Sequence, residues 1–326
     1  MAARLSGAEA GALVRHRRRS FLAFLVGAES QTEIRQALWG YAFLSPWLLG
    51  LIVFVSGPMI ACLALSFTNY DILSSPTWIG LGNYLRAFMQ DEQFWPSLAR
   101  TFYYSALTVP LGIAGSLLLA ILLNQGIRGT THFRTLFFLP HLTPVVAMAT
   151  LWVWLMNPEI GPLNYILSRF GWPANFPWLT SPTTVIPSLA LISLWSGLGG
   201  NNMLIFLAGL QGVPQELYEA SEIDGAGRWS KFRYVTLPMI SPAMFFNLVL
   251  GIIGALQVFS LTWVATKGGP FYGSWFLALH IYQQAFSYFR MGYGAALAWI
   301  FAIIVMLLTF TNVRLSDRWV YYGGTV

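Results

Sequence analysis

Six long stretches of the chain carry no Asp, Glu, Lys or Arg: Gln36–Tyr70, Thr101–Ile127, Thr135–Pro158, Phe170–Gln215, Tyr234–Thr266 and Met291–Val313. A helix needs ~20 apolar residues to cross a bilayer, and a charge at its centre costs roughly 2.5–3.5 kcal/mol on the insertion scale. Each stretch avoids that cost. The pattern predicts six spanning helices, near Gly40–Leu63, Thr101–Leu123, Thr135–Met156, Val185–Leu210, Ala243–Val264 and Gly294–Val313. A seventh uncharged run, Gly268–Phe289, opens on the turn signals Gly268-Gly269-Pro270 and Gly273-Ser274. Its remainder, Trp275–Phe289, is short for a span and rich in Tyr and Gln, which predicts an interfacial helix.

Composition agrees with the pattern. Of the 326 residues 56% are hydrophobic and 9% charged, where a soluble domain carries about 25% charged residues. The chain is an all-α polytopic membrane protein by this reading. Its basic residues then report topology. They concentrate in the N-terminal tail (Arg4, Arg15, Arg17, Arg18, Arg19, Arg35) and in the second–third loop (Arg128, Arg134). The fourth–fifth loop (Arg228, Lys231, Arg233) and the C-terminus (Arg314, Arg318) add to the same side. The opposite loops hold the smaller set, Arg86, Arg100, Arg169, Lys267 and Arg290. Both termini and the fourth–fifth loop are therefore expected in the cytoplasm. The net charge of +6 serves as a membrane anchor and leaves no basic patch for nucleic acid. In the tail, Arg15–Arg19 followed by Phe21–Ala28 imitates a signal peptide. The apolar part is too short to span, so an interfacial helix leading into the first span is expected. A lone cysteine, Cys62, excludes intrachain disulfides and thiolate metal clusters.

Two spans carry polar positions. Span four contains Trp195-Ser196-Gly197-Leu198-Gly199-Gly200-Asn201-Asn202, and each glycine weakens a helix by roughly 1 kcal/mol relative to alanine. In span five, Asn247, Gly251, Gly254 and Gln257 fall on one face at 100° per residue. Small and polar stripes of this kind either pack helices closely or line a wet pathway. As lining, Trp195, Asn201, Asn202, Asn247 and Gln257 would offer the amides and aromatic face that sugars need. The outer loop Asp71–Arg100, with Pro76, Gly80, Gly82 and an amphipathic patch at Tyr84–Phe88, predicts a small extracytoplasmic cap.

The most polar loop lies between spans four and five. Pro214 suits the start of a helix, and Glu216 and Glu219 fall in its first turns, where the helix dipole favours acids. Gly225 predicts the stop, and a second short helix then carries Arg228, Trp229, Lys231 and Phe232 before Leu237-Pro238. An acidic helix followed by a basic, aromatic one predicts a docking surface for a partner.

Glu219-Ala220-Ser221, Gly225, Val235 and Leu237-Pro238, at these spacings, resemble the EAA signature of binding-protein-dependent ABC importer permeases, with serine where alanine is usual at the third position. Tyr41–Trp47, Leu65–Thr68, Phe133–Pro140 and Leu207–Pro214 resemble the carbohydrate branch, which includes the maltose and glycerol-phosphate permeases. The resemblance runs from about Gly40 to Trp319. It implies six helices of the type I importer permease fold, in a bacterial or archaeal cytoplasmic membrane. It also implies a second permease subunit (commonly a heterodimer), two cytoplasmic ABC ATPases and an extracytoplasmic solute-binding protein. Glu219, Ala220, Ser221, Asp224, Gly225, Ala226, Leu237 and Pro238 would form the loop that couples to the ATPase. No cofactor is expected on this chain, since ATP and Mg belong to the ATPase. The chain accordingly divides into a basic tail (1–36), a first span (37–70), an outer loop (71–100), a five-helix core (101–313) holding the coupling loop (212–240), and a short tail (314–326).

Two rival classes remain weaker. His16, His132, His141 and His280 are too scattered for a metal site, and the absence of a Gly-Lys pair excludes a phosphate-binding P-loop, so the chain reads as a transporter subunit and not an enzyme. An ion-coupled secondary transporter usually needs intramembrane charges, and the six predicted spans have none. A neutral polar pathway suits an uncharged solute.

Overall fold

A computed structural model describes residues 31–126 and 128–321, so the expected interfacial helix at 21–28 lies outside the described residues. The chain separates into two compact units, 1–62 and 63–326. The first holds most of the helix α1 (Arg35–Ser66), whose apolar side chains, Phe43, Trp47 and Phe54 among them, are exposed as lipid contact requires. A π-helical turn, Leu51–Ser56, interrupts its regular winding.

In the second unit the segment after α1 folds into a small cap. Strands β1 (Thr68–Asn69) and β2 (Thr77–Trp78) pair antiparallel, and helix α2 (Gly82–Met89) closes over them. Buried Asn83 holds the corner by donating to the carbonyls of Ser66 and Thr68 at 2.9 and 2.8 Å. Phe67 stacks on Trp78 beside it.

Helix α3 (Phe94–Leu123) is the mast of the bundle, because its side chains enter three separate apolar cores. Tyr104 joins a core with α5 (Val145–Leu155), α7 (Val185–Gly197) and α12 (Ser260–Ala265). Phe94 and Leu98 join Leu256 of α11 (Ser241–Leu256), Leu277 of α13 (Leu277–Tyr282) and Leu297 of α14 (Met291–Ser316). Leu117 and Ala120 pack on Met203, Phe206 and Leu207 of α8 (Asn201–Gln211).

Two predicted spans are bent pairs of helices, and a third carries an irregular step. The third is α4 (Thr130–Phe138), a 3₁₀ turn Leu139–Leu142 and α5, bent by 91°. Pro144 explains the break: it has no amide to donate and forces Thr143 into an extended conformation, ψ 127°. The fourth is α7 and α8, bent by 49° at Leu198–Gly200. There the glycines allow contact: a Cβ on Gly199 would strike the Phe137 carbonyl, and one on Gly200 would lie 2.6 Å from His141 Nδ1. The fifth, Ser241–Ala265, stays one span of 25 residues with an irregular step between α11 and α12. Among the described residues, four helices are long and apolar enough to cross, six if each bent pair is one span.

The stretch Trp275–Phe289 packs into the bundle along most of its length. Phe276, Leu277, Leu279 and His280 are buried in the bundle, and only the end, at Phe286, Tyr288 and Phe289, is exposed. The Leu277 amide finds its acceptor on Thr101 Oγ1 of α3, 2.9 Å away, which lets a helix start be buried. Short helix α6 (Pro162–Ser168) precedes α7, and its Asn164 accepts the Trp178 indole N–H at 2.7 Å.

One polar hub ties the cap to α13 and α14. Asp91 Oδ2 lies 2.7 Å from His280 Nε2 and accepts the Tyr293 hydroxyl. The Trp275 indole can only donate, and it faces His280 Nδ1 at 3.1 Å, so Nδ1 accepts and Nε2–H donates to Asp91. Burial alone would raise the Asp91 carboxyl. The hydrogen bonds from His280, Tyr293 and the Gln93 amide outweigh it and hold the group well below the usual carboxylate range. A carboxyl depressed in the fold contributes stability above its unfolded value of about 3.9, and loses it as pH falls towards the folded value. The detergent-solubilised protein is therefore expected to lose thermal stability below about pH 4, with a smaller acid step in Asp91→Asn, measured by melting curves across pH.

Candidate substrate cavity and inner loop

The two helix breaks in spans four and five border one cavity of about 550 Å³. Backbone that leaves the helix at membrane depth needs polar surroundings or protein cover, and a wet cavity supplies the first. Its walls come from α3 (Tyr104, Thr108, Gly112), the 3₁₀ turn (His141), α7 (Ser193, Gly197), α8 (Asn201, Asn202), and α11 with the following break (Gly251, Gly254, Gln257, Phe259). Open space faces Gly197 and Gly254, where a Cβ would meet no atom within 4 Å. The Tyr104 and Ser193 hydroxyls lie 2.5 Å apart on the wall. Among the described residues, no Asp, Glu, Lys or Arg lines the cavity.

Of the five residues marked as possible pathway lining, Asn201, Asn202 and Gln257 border this space, while Trp195 and Asn247 do not. Trp195 is exposed and meets Trp152 edge-on, 5.9 Å between centroids. Asn247 is fully buried and donates to the Asn202 carbonyl at 3.2 Å, its own Oδ1 lacking a partner. It braces α11 against the start of α8. Tyr104, Thr108, Ser193, His141 and Phe259 were not marked. A signal existed for the first two, because Tyr104, Thr108 and Gly112 repeat every four residues, as the span-five stripe does every three or four. His141 reaches the wall through the proline-driven bend, which spacing along a straight helix does not reveal.

At the other end of α8 the polar loop folds as a helical hairpin. Helix α9 (Gln215–Ile223) ends at Asp224 and Gly225, whose φ is +74°. The Ala226 amide donates to the Ser221 carbonyl (2.9 Å) and the Gly225 amide to the Glu222 carbonyl (3.0 Å), the paired closure of a Schellman motif. The spacing of Ser221, Gly225 and Ala226 thus has a backbone cause. Helix α10 (Arg228–Lys231) continues through a π turn, Phe232–Thr236, to Leu237–Met239. Two side-chain ties cross the hairpin: Lys231 Nζ to Glu222 Oε1 at 2.5 Å, and the Tyr218 hydroxyl to Thr236 Oγ1 at 3.0 Å. Phe232 and Val213 pack on the Leu207–Leu210–Ile240 core, so the hairpin is seated on the bundle. Leu237 and Pro238 are half-buried at its root. Glu219, Ala220, Asp224 and Gly225 face outward, as do Ile223, Trp229 and Tyr234. Among the described residues, no three His, Cys, Asp or Glu side chains could share a metal ion.

A family model described as the inner membrane component of binding-protein-dependent transport systems matches residues 112–320. A probable ABC transporter permease protein, YesP of Bacillus subtilis, is 40% identical over 90% of this chain and 95% of its own length. The trehalose/maltose transport system permease protein MalF of Thermococcus litoralis is 32% identical, over 88% and 96%. A solved bacterial ABC transporter involved in the import of the acidic polysaccharide alginate has a chain that superposes with a TM-score of 0.78 at 25% identity, covering 88% of this chain and 98% of its own.

Closure of the hairpin is directly testable by hydrogen exchange. Gly225→Ala places a side chain at positive φ, which costs roughly 1–2 kcal/mol, and should raise exchange at the amides of 223–226. Lys231→Glu should loosen the hairpin by about 0.2–1 kcal/mol, and the exchanged pair Glu222→Lys, Lys231→Glu should recover most of it.

Proposed function

The chain belongs to the inner membrane components of binding-protein-dependent transport systems, and from that membership we propose that it is the permease subunit of an ATP-driven carbohydrate importer. The observation that carries the carbohydrate reading is the uncharged cavity, with amides at Asn201, Asn202 and Gln257, hydroxyls at Tyr104, Thr108 and Ser193, and an aromatic face at Phe259. Amides and hydroxyls both donate and accept, as a sugar hydroxyl does, and its volume lies in the range of small-molecule sites. The names of the relatives support the class: one is a trehalose/maltose permease and another takes part in alginate import. A lining without a cation favours a neutral saccharide over an acidic one.

In this reading a second permease subunit completes the pore, most simply as a heterodimer. An extracytoplasmic binding protein delivers the solute, and two cytoplasmic ABC ATPases supply ATP and Mg chemistry that this chain does not perform. The termini and the 212–240 hairpin lie on the cytoplasmic side of a bacterial or archaeal membrane, with the cap at 71–100 outside. Glu219, Ala220, Ser221, Asp224, Gly225 and Ala226 present the docking surface, and Leu237-Pro238 fix its root. When the ATPases close, the hairpin moves as a body and rocks the spans between outward- and inward-open states. Phe232 and Val213 support this, since they carry motion of the hairpin into α8, one wall of the cavity.

Reconstituted vesicles decide the energy source. Uptake of labelled neutral saccharides should require ATP and the binding protein; uptake driven by an ion gradient alone would instead favour a secondary transporter. Asn201→Ala with Gln257→Ala should weaken transport about 5-fold or more, the loss of one to two hydrogen bonds, whereas Trp195→Ala should change it little. Glu219→Lys with Gly225→Pro should leave the protein in the membrane at normal abundance and abolish uptake.

A further inference from the structure

The segment after the last span folds back onto the point where the hairpin re-enters the membrane domain. Ser241, buried at the first position of α11, donates to the Pro238 carbonyl at 2.7 Å and accepts the backbone N–H of Tyr321 at 2.8 Å. Trp319 meets Phe245 edge-on, with centroids 6.2 Å apart at 73°. The chain reaches this place through a turn at the end of α14, where the amides of Trp319 and Val320 both donate to the Ser316 carbonyl. Thus one serine hydroxyl bonds both to the Leu237-Pro238 root and to the C-terminal segment.

Helices α11 and α14 already share a core farther from the hairpin, through Leu256, Leu297 and Ile300. A pair of helices joined at one level can hinge about it. Joined at a second level, at Ser241 and Trp319, they must move together. We propose that Ser241 and Trp319 are positioning residues for transport. They fasten the last span to the exit of the coupling hairpin, so that a push on the hairpin displaces α14 along with α11 and the cavity wall it carries. The proposal rests on the hairpin being the coupling element.

The test uses the native complex with its own ATPases, with Cys62→Ala removing the one native thiol and Gly254→Cys placing a reporter in the cavity. N-ethylmaleimide labelling of that reporter is compared with and without ATP plus vanadate, alongside ATP hydrolysis. Trp319→Ala and a stop after Ser316 should copurify with the ATPases and hydrolyse ATP, yet the ATP-dependent change in labelling should shrink about 5-fold or more. Trp319→Phe, which keeps an aromatic edge against Phe245, should restore it. Ser241→Ala, a smaller perturbation, provides a second reading if Trp319→Ala fails to assemble, and should reduce the change part-way. An undiminished change in Trp319→Ala or Ser241→Ala, while Gly225→Pro abolishes it, would overturn the clasp and leave the hairpin's role standing. If Gly225→Pro leaves the change intact as well, the coupling role itself fails and the clasp with it.

Discussion

A backbone amide or carbonyl in a bilayer has no water to turn to, and leaving it unpaired costs several kcal/mol. This constraint orders the whole molecule. It forces the membrane domain to be helical, and it makes each interruption of a helix informative. The breaks at Leu198–Gly200 and Gln257–Phe259 both open onto the same cavity, and the proline bend of the third span brings His141 to its wall. Irregular backbone and polar side chains have been gathered into one place, so that the remaining surface of the bundle can stay apolar. The cavity follows from where the helices were allowed to stop.

Charge-free runs made the six-span count legible, because insertion cost depends on composition alone and needs no knowledge of neighbours. Bends were less legible. Pro144 and Gly199-Gly200 were visible as helix breakers, but whether a breaker kinks a span or merely packs depends on what stands opposite, here Phe137 and His141 from another span. The same limit separated the marked polar residues. Asn201 and Asn247 are both asparagines on small-residue stripes; one borders the cavity and the other is sealed against the Asn202 carbonyl. Trp195 looks outward, toward Trp152. The stretch Trp275–Phe289 hid its partners for a related reason: His280 and the Leu277 N–H pair inside the protein with Asp91 and Thr101, far away in the sequence.

The hairpin was the best-determined feature because its determinants are local. A glycine at positive φ, the carbonyls of Ser221 and Glu222, and the prolines at either end all lie between Pro214 and Pro238, so their spacing in sequence already specifies geometry. The hub around Asp91 stands at the other extreme. It joins residues 91, 275, 280 and 293, and none of them alone announces the others. Local rules explain the hairpin, and long-range polar pairing holds the cap against α13 and α14.

The main-chain closure at Gly225 has a further consequence. Since the turn itself is closed by peptide groups, the exposed side chains that make no tie across the hairpin, Glu219, Ala220 and Asp224 among them, have no part in its shape. Serine can replace alanine there without altering the contour, and the outer residues are free to drift as a contacting surface drifts. A turn built this way keeps its contour while the residues that decorate it vary.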